Sequence, residues 1–189
     1  MTRFPRAVVT TPRLRLEPIE RGHAEGLWRA KEASLAELRR WLAWALSDDP
    51  ERSRGFVEAS RRGWDAGTDW VFVLVLAGEP IGAIGLHEHD ALGARAELGY
   101  WLRSDVAGRG LMTEAAAAVV DFGFEVLGLH RIQLRAAPGN AASTRVAEKV
   151  GFRREGLMRD SGRGEAGWHD ESLYGMLATD ERMRSRAID

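Results

Sequence analysis

Residues 96–115 read A-E-L-G-Y-W-L-R-S-D-V-A-G-R-G-L-M-T-E-A. The partly alternating segment 96–102 predicts a strand, and Leu111, Ala115, Ala118, Val119, Phe122 and Val126 recur at helical spacing until Gly128 closes the run. Between them Gly108 and Gly110 flank Arg109, where the helix should begin. Such a pair either turns the chain tightly or bares backbone N–H groups to an anion. The first four N–H groups of a helix lack internal partners, and the helix dipole adds positive charge there. Glycines at that end let a phosphate approach closely. Two phosphate motifs do not fit. No Gly-Lys-Ser/Thr ending follows, and the dinucleotide fingerprint lacks its third glycine, which Thr113 replaces, and its later acidic residue.

Outward from this stretch, the chain alternates strands and helices. Residues 1–12 read as a leader, and Arg13–Pro18 as a first strand with Leu14 and Leu16 on one face. A helical stretch broken near Ser34 follows; Leu35, Leu38, Leu42 and Ala45 form its stripe, with Trp41 and Trp44 on the flank. Asp49 and Pro50 mark a helix start whose inward side is Phe56, Val57, Ser60 and Trp64. Trp70–Leu76 is apolar on both faces, as in a strand covered on both sides. Gly78-Glu79-Pro80 turns into a strand at 81–88. Past the glycine loop come a strand at 131–137, a helix at 141–150 and a strand pair around Gly162–Gly167, with Trp168, Asp170, Ser172, Tyr174 and Met176 on one face. The order predicts one mixed α/β (α+β) domain spanning 1–189, with helices on a mainly antiparallel sheet.

Composition narrows the function. A formal charge of −1 over 189 residues carries no basic excess that would mark a nucleic-acid partner. With no cysteine, disulfides and thiolate zinc sites are excluded. The longest apolar run, 71–77, is far too short to span a bilayer, so no membrane association and a cytoplasmic location are expected. His87 and His89 would share a strand face and could ligate zinc, but spacing supplies no third ligand, so no metal is expected; they read rather as a solvated strand end or a wall of an acceptor site.

The ordered set T-P-R-L-R-L, E-L-G-Y-W-L, G-R-G-L-M-T-E-A, N-A-A-S-T-R-V-A-E-K-V-G-F and W-H-D-E-S-L-Y resembles the GNAT superfamily of N-acetyltransferases, nearest the RimJ/RimL-like branch that acetylates ribosomal-protein N-termini. The resemblance spans essentially the whole chain and implies a twisted sheet of about seven strands. It implies acetyl-CoA as co-substrate. The pyrophosphate would lie on the backbone of Ala107, Gly108, Arg109, Gly110, Leu111, Met112 and Thr113. The pantetheine arm would lie along Trp101 and Leu102, beside Asn140. One departure is Asp105, where the family often has Gln or Arg; it is expected to point away, leaving Arg103 or Arg109 to supply positive charge.

Acetyl transfer needs a neutral amine, and an α-amino group with pKa near ~8 is mostly charged at pH 7, so a base is required. Glu97 is the first candidate, against the alternative of a surface strand carboxylate. Ser143 is the candidate acid near the sulfur, because Glu148 stands where many superfamily members place a tyrosine. Asn140 also reads as the cap of the helix at 141. Trp41 and Trp44 read either as core aromatics or as walls of the acceptor groove. The resemblance implies as acceptor a protein N-terminal amine or a small amine such as an antibiotic, polyamine or amino acid. A non-catalytic acyl-CoA sensor is the alternative of another class. Relatives often pair, which implies a homodimer.

Overall fold

The computed structural model describes residues 6–180 except Asp48. Its elements are β1 (Val9–Thr10), β2 (Arg15–Pro18), α1 (Ala24–Glu32), α2 (Leu35–Leu38), α3 (Pro50–Ala66), β3 (Trp70–Leu76), β4 (Glu79–Asp90), β5 (Arg95–Leu102), α4 (Leu111–Asp121), β6 (Arg131–Ala136), α5 (Ala141–Val150), β7 (Arg153–Gly164) and β8 (Gly167–Leu177). Among the described residues they build an eight-stranded sheet in the order β1-β2-β3-β4-β5-β6-β8-β7. Val9–Thr10, inside the stretch read as a leader, pairs with β2; residues 1–5 lie outside the described residues. No helix among the described residues is long and apolar enough to cross a membrane.

β3 explains why both sheet faces are covered. Trp70, Phe72 and Leu74 pack into a core shared with α4 and α5, while Val71, Val73 and Val75 pack into a second core with Leu27 of α1 and Val57 of α3. Each such buried side chain contributes about 1.5–3 kcal/mol. A charge at Val73, which is fully buried, would break the second core. α3 starts as the sequence predicts: Asp49 accepts from the Glu51 N–H at 2.9 Å, and Pro50 opens the helix. Phe56 departs from the expected inward side and is exposed.

Two helices differ from their periodic patterns for identifiable reasons. After α2 the Arg39 carbonyl accepts from the Glu165 N–H of the β7–β8 turn at 2.8 Å, so the helix stops and the chain resumes as a 3₁₀ turn at Ala43–Leu46. That break sends Trp41 and Trp44 to different places. After α4 a π-helical turn, Phe122–Val126, widens the helix, and Val126 leaves the apolar stripe for the surface.

All strand pairs are antiparallel except β5 with β6, whose connection runs through α4. This parallel pair holds for three positions only, Arg95↔Arg131, Ala96↔Ile132 and Glu97↔Gln133. β5 continues to Leu102 along β4 and β6 to Ala136 along β8 without pairing to each other, so the sheet parts beyond Glu97.

Candidate active site

The loop before α4 carries Gly108 at φ +74° and Gly110 at φ +77°, both in the left-handed region that favours glycine. No side chain caps α4, whose N-terminal N–H groups belong to Leu111, Met112 and Thr113. Arg13 braces the loop: its Nη1 donates to the Arg109 carbonyl at 2.8 Å, and its Nε donates to Glu114 at 2.7 Å. Thr11 and the Arg13 backbone N–H also donate to Glu114. Burial pushes the Glu114 carboxyl up, yet these hydrogen bonds outweigh it and hold its pKa below the ordinary value.

Asp105 is held by Arg103 through contacts of 2.6 and 3.1 Å. The same guanidinium lowers the Asp105 pKa. Arg103 is thereby committed to Asp105, and Arg109, exposed on the loop, is the cation between the glycines. Ala107 completes the exposed loop backbone.

On β5, alternate residues serve opposite faces. Tyr100 and Leu102 pack on the core of α4 and α5, and Trp101 on the core of α1 and α3. The Tyr100 hydroxyl meets Ser143 Oγ at 2.9 Å, and burial pushes its pKa up to about 12. Asn140 caps α5: its Oδ1 accepts from the Ser143 N–H at 3.1 Å. Ser143 and Asn140 thus stand together at the first turn of α5, beside Tyr100 at the parted end of β5.

The face of α1 and α3 holds a cavity of about 690 Å³, with Trp44, Trp101, Phe56, Lys31, Arg52 and His87 among its lining residues. Trp44 packs on Trp101 with ring centroids 5.9 Å apart. Trp41 is not part of this lining; it lies edge-on to His169 and against Gly139, next to Asn140. Glu97 belongs to a polar row at the parting. Its carboxylate receives the Arg135 Nε at 2.8 and 2.9 Å and the Gln133 amide at 3.0 Å. Both oxygens are therefore committed to donors.

The profile of the family described as "Acetyltransferase (GNAT) domain" matches residues 13–153. The chain belongs to the GNAT acetyltransferase family. The GNAT chain is 36% identical to YdaF of Bacillus subtilis (strain 168) over 104 residues, 55% of this chain and 57% of YdaF. It therefore spans a little over half the length of that relative. It is 24% identical to the ribosomal-protein-serine acetyltransferase of Escherichia coli (strain K12), covering 87% of this chain and 92% of that protein. Mycobacterium smegmatis RimJ, solved in complex with CoA-disulfide, superposes with a TM-score of 0.79 at 28% identity, over 87% of this chain and 82% of RimJ.

Within this GNAT fold, sequence reasoning missed Tyr100, Arg13, Asp69 and Phe56. Tyr100 stood in the quoted E-L-G-Y-W-L, but only the register with α5 shows its partner. The two histidines do not converge on one ion. A bulge follows His87, with Glu88 at φ +52°, and period two fails there. His87 Nδ1 then meets Asp69 Oδ1 at 3.1 Å, while His89 meets the Gly67 carbonyl at 3.1 Å and the Trp70 ring. Among the described residues no group of three potential ligands could hold a metal.

Proposed function

We propose that this chain transfers an acetyl group from acetyl-CoA to a primary amine, by direct attack of the amine on the thioester. The observation that carries the reading is the parting of β5 from β6 directly beside an uncapped helix end entered through two left-handed glycines. The edge of β5 at 98–102 that β6 leaves open suits the amides of a pantetheine arm, with Trp101 and Leu102 at its end. The N–H groups around Gly108–Thr113, with Arg109, suit a pyrophosphate. Membership of the GNAT family and the likeness to a RimJ solved with a CoA derivative support the same ligand.

The chemistry then has clear stations. The acetyl carbonyl lies in the parting, the amine arrives from the cavity bounded by Trp44 and Trp101, and the leaving sulfur lies toward Ser143. Trp41, on the opposite side of the break after α2, supports the Asn140 loop. Tyr100 holds its proton at neutral pH and supports the Ser143 hydroxyl as a donor to the departing thiolate. Glu97, bound by Arg135, orders the polar row. The absence of cysteine excludes an acetyl-cysteine intermediate.

The preferred acceptor is a protein N-terminal amine. Lys31 and Arg52 in the cavity lining repel a polycation such as a polyamine, whereas an N-terminus brings a single charge. The test is free-thiol release from acetyl-CoA, alone and with peptides of different N-terminal residues and with small amines. Release with Ala- or Ser-starting peptides supports the reading. Release only with small amines overturns the acceptor, and tight CoA binding with no release under any condition overturns the activity.

A further inference from the structure

Acetyl transfer needs a group with a free lone pair, positioned on the acceptor side. From the contacts of the cavity wall we infer that His87, oriented by Asp69, is the proton acceptor for the incoming amine. This inference rests on the reading of the site as an acetyltransferase.

The imidazole is seated for that task by three features. It lines the acceptor cavity. Its strand and the neighbouring strand supply glycine beneath it: a Cβ on Gly85 would stand 3.1 Å from His87 Nε2, and one on Gly99 would stand 3.2 Å from Cδ2. The ring thus lies over a floor that only the missing side chains leave open. Finally, Nδ1 is tied to Asp69 at 3.1 Å. Asp69 is itself fixed, accepting from the Thr68 hydroxyl at 3.2 Å and pressed against Gly63 of α3, where a Cβ would come within 2.8 Å of its carboxylate.

The direction of the proton follows from the partners. Hydrogen bonding to His87 is the leading influence that lowers the Asp69 pKa, so Asp69 is ionised at neutral pH and can only accept. The shared hydrogen therefore sits on Nδ1, and Nε2 is the ring nitrogen left to take the proton of the amine. Glu97, opposite His87 in the β4–β5 register, has both oxygens taken by Arg135 and Gln133 and cannot compete for the role. Among the described residues, the other charged or titratable groups facing this place are His89 on β4, Tyr100 on β5, Lys31 on α1 and Arg52 on α3.

In the step itself, the amine nitrogen bonds to the thioester carbon while the carbonyl electron pair moves onto oxygen. The nitrogen loses a proton to His87 Nε2, giving an imidazolium stabilised by Asp69. Collapse of the tetrahedral species breaks the C–S bond, the thiolate leaves with the pair, and it takes up a proton from the hydroxyl side or from solvent. The imidazolium returns its proton to solvent.

The experiment compares wild type, His87→Gln, Asp69→Asn and Gly63→Ala in the thiol-release assay, using the acceptor peptide wild type turns over best, from about pH 5.5 to 9. CoA affinity is followed by calorimetry. His87→Gln should lower kcat about 100-fold or more and abolish the acidic limb of the profile, with CoA affinity unchanged. Asp69 is a positioning residue. Asp69→Asn should lower kcat about tenfold and shift the acidic limb, and Gly63→Ala, which displaces Asp69, should shift the limb in the same way. Nitrogen-15 NMR of wild type should show His87 as the Nδ1–H tautomer. Should His87→Gln fail to fold, that spectrum and the Asp69→Asn profile still decide. Turnover of His87→Gln within twofold of wild type, or an Nε2–H tautomer, overturns the proposal alone. A wild type that binds CoA but releases thiol with no acceptor overturns the acetyltransferase reading and the histidine's role with it.

Discussion

The Tyr100 hydroxyl lies 2.9 Å from Ser143 Oγ, so the end of β5 and the first turn of α5 are joined where β5 and β6 stand apart. Tyr100→Phe removes the phenolic partner but keeps the ring. It should lower kcat about tenfold with little change in CoA affinity, and Ser143→Ala should lower it at least as much. The folded-state pKa of about 12 lies above the ordinary tyrosine value of ~10. The stability gained by keeping this phenol neutral is complete below pH ~10 and is lost as pH rises through about 12. Thermal melts of wild type should show that alkaline loss, and melts of Tyr100→Phe should show less of it.

Arg13 and Glu114 tie the first strand region to the helix that would face the pyrophosphate. Glu114→Ala removes the acceptor of the Arg13 backbone N–H and leaves the Thr11 hydroxyl only the Leu14 carbonyl, and should cost about 1–3 kcal/mol of stability. It should also weaken acetyl-CoA binding several-fold, because Arg13 then loses one of its two anchors beside the Arg109 carbonyl. Since the Glu114 pKa is held below its ordinary value, its stabilising effect is present above that value. It is lost as pH falls through the folded-state pKa. Denaturant melts of wild type and Glu114→Ala should converge in acid.

Gly110 opens α4 in the left-handed region, with nothing nearer to an added Cβ than Arg13 Nη2 at 3.5 Å. Gly110→Ala should therefore cost about 1–2 kcal/mol through backbone strain rather than a clash. Arg109→Glu places a carboxylate where an anion is expected, and should weaken acetyl-CoA binding several-fold while leaving the melt unchanged. Calorimetry separates the two effects. Unchanged affinity in Arg109→Glu would remove that residue from the pyrophosphate site.

Glu97→Gln removes the charge that Arg135 pairs with. Turnover should fall moderately, because Arg135 and Gln133 lose their common anchor, but the acidic limb of the pH profile should remain. Disappearance of that limb would restore Glu97 as the base.

Much of this molecule was legible from local pattern. The two-faced apolar run at Trp70–Leu76, the Asp49-Pro50 helix start and the glycine pair before α4 each express a rule of neighbouring residues, and each stands as read. What escaped depends on partners distant in sequence. The helix through Leu42 is interrupted because a carbonyl at Arg39 is claimed by Glu165, far along the chain. The pairing of His87 with Asp69 arises from strand register and a bulge at Glu88 that period two cannot anticipate. Glu97 reads as a candidate base from its place on the strand leading to the glycine loop, and that reading does not foresee its partner Arg135, on another strand.

The parting of β5 from β6 has a mechanical meaning as well. Five strands stand on one bank and three on the other, and among the described residues the strand register joins them at three residue pairs. Any molecule that bonds to both banks acts as a keystone, stiffening the protein across the line where the reaction takes place. Amide exchange in β5 and β6 should slow when that keystone is inserted, and it should quicken on its release. Product departure is then also the moment at which the two halves of the sheet regain their independence.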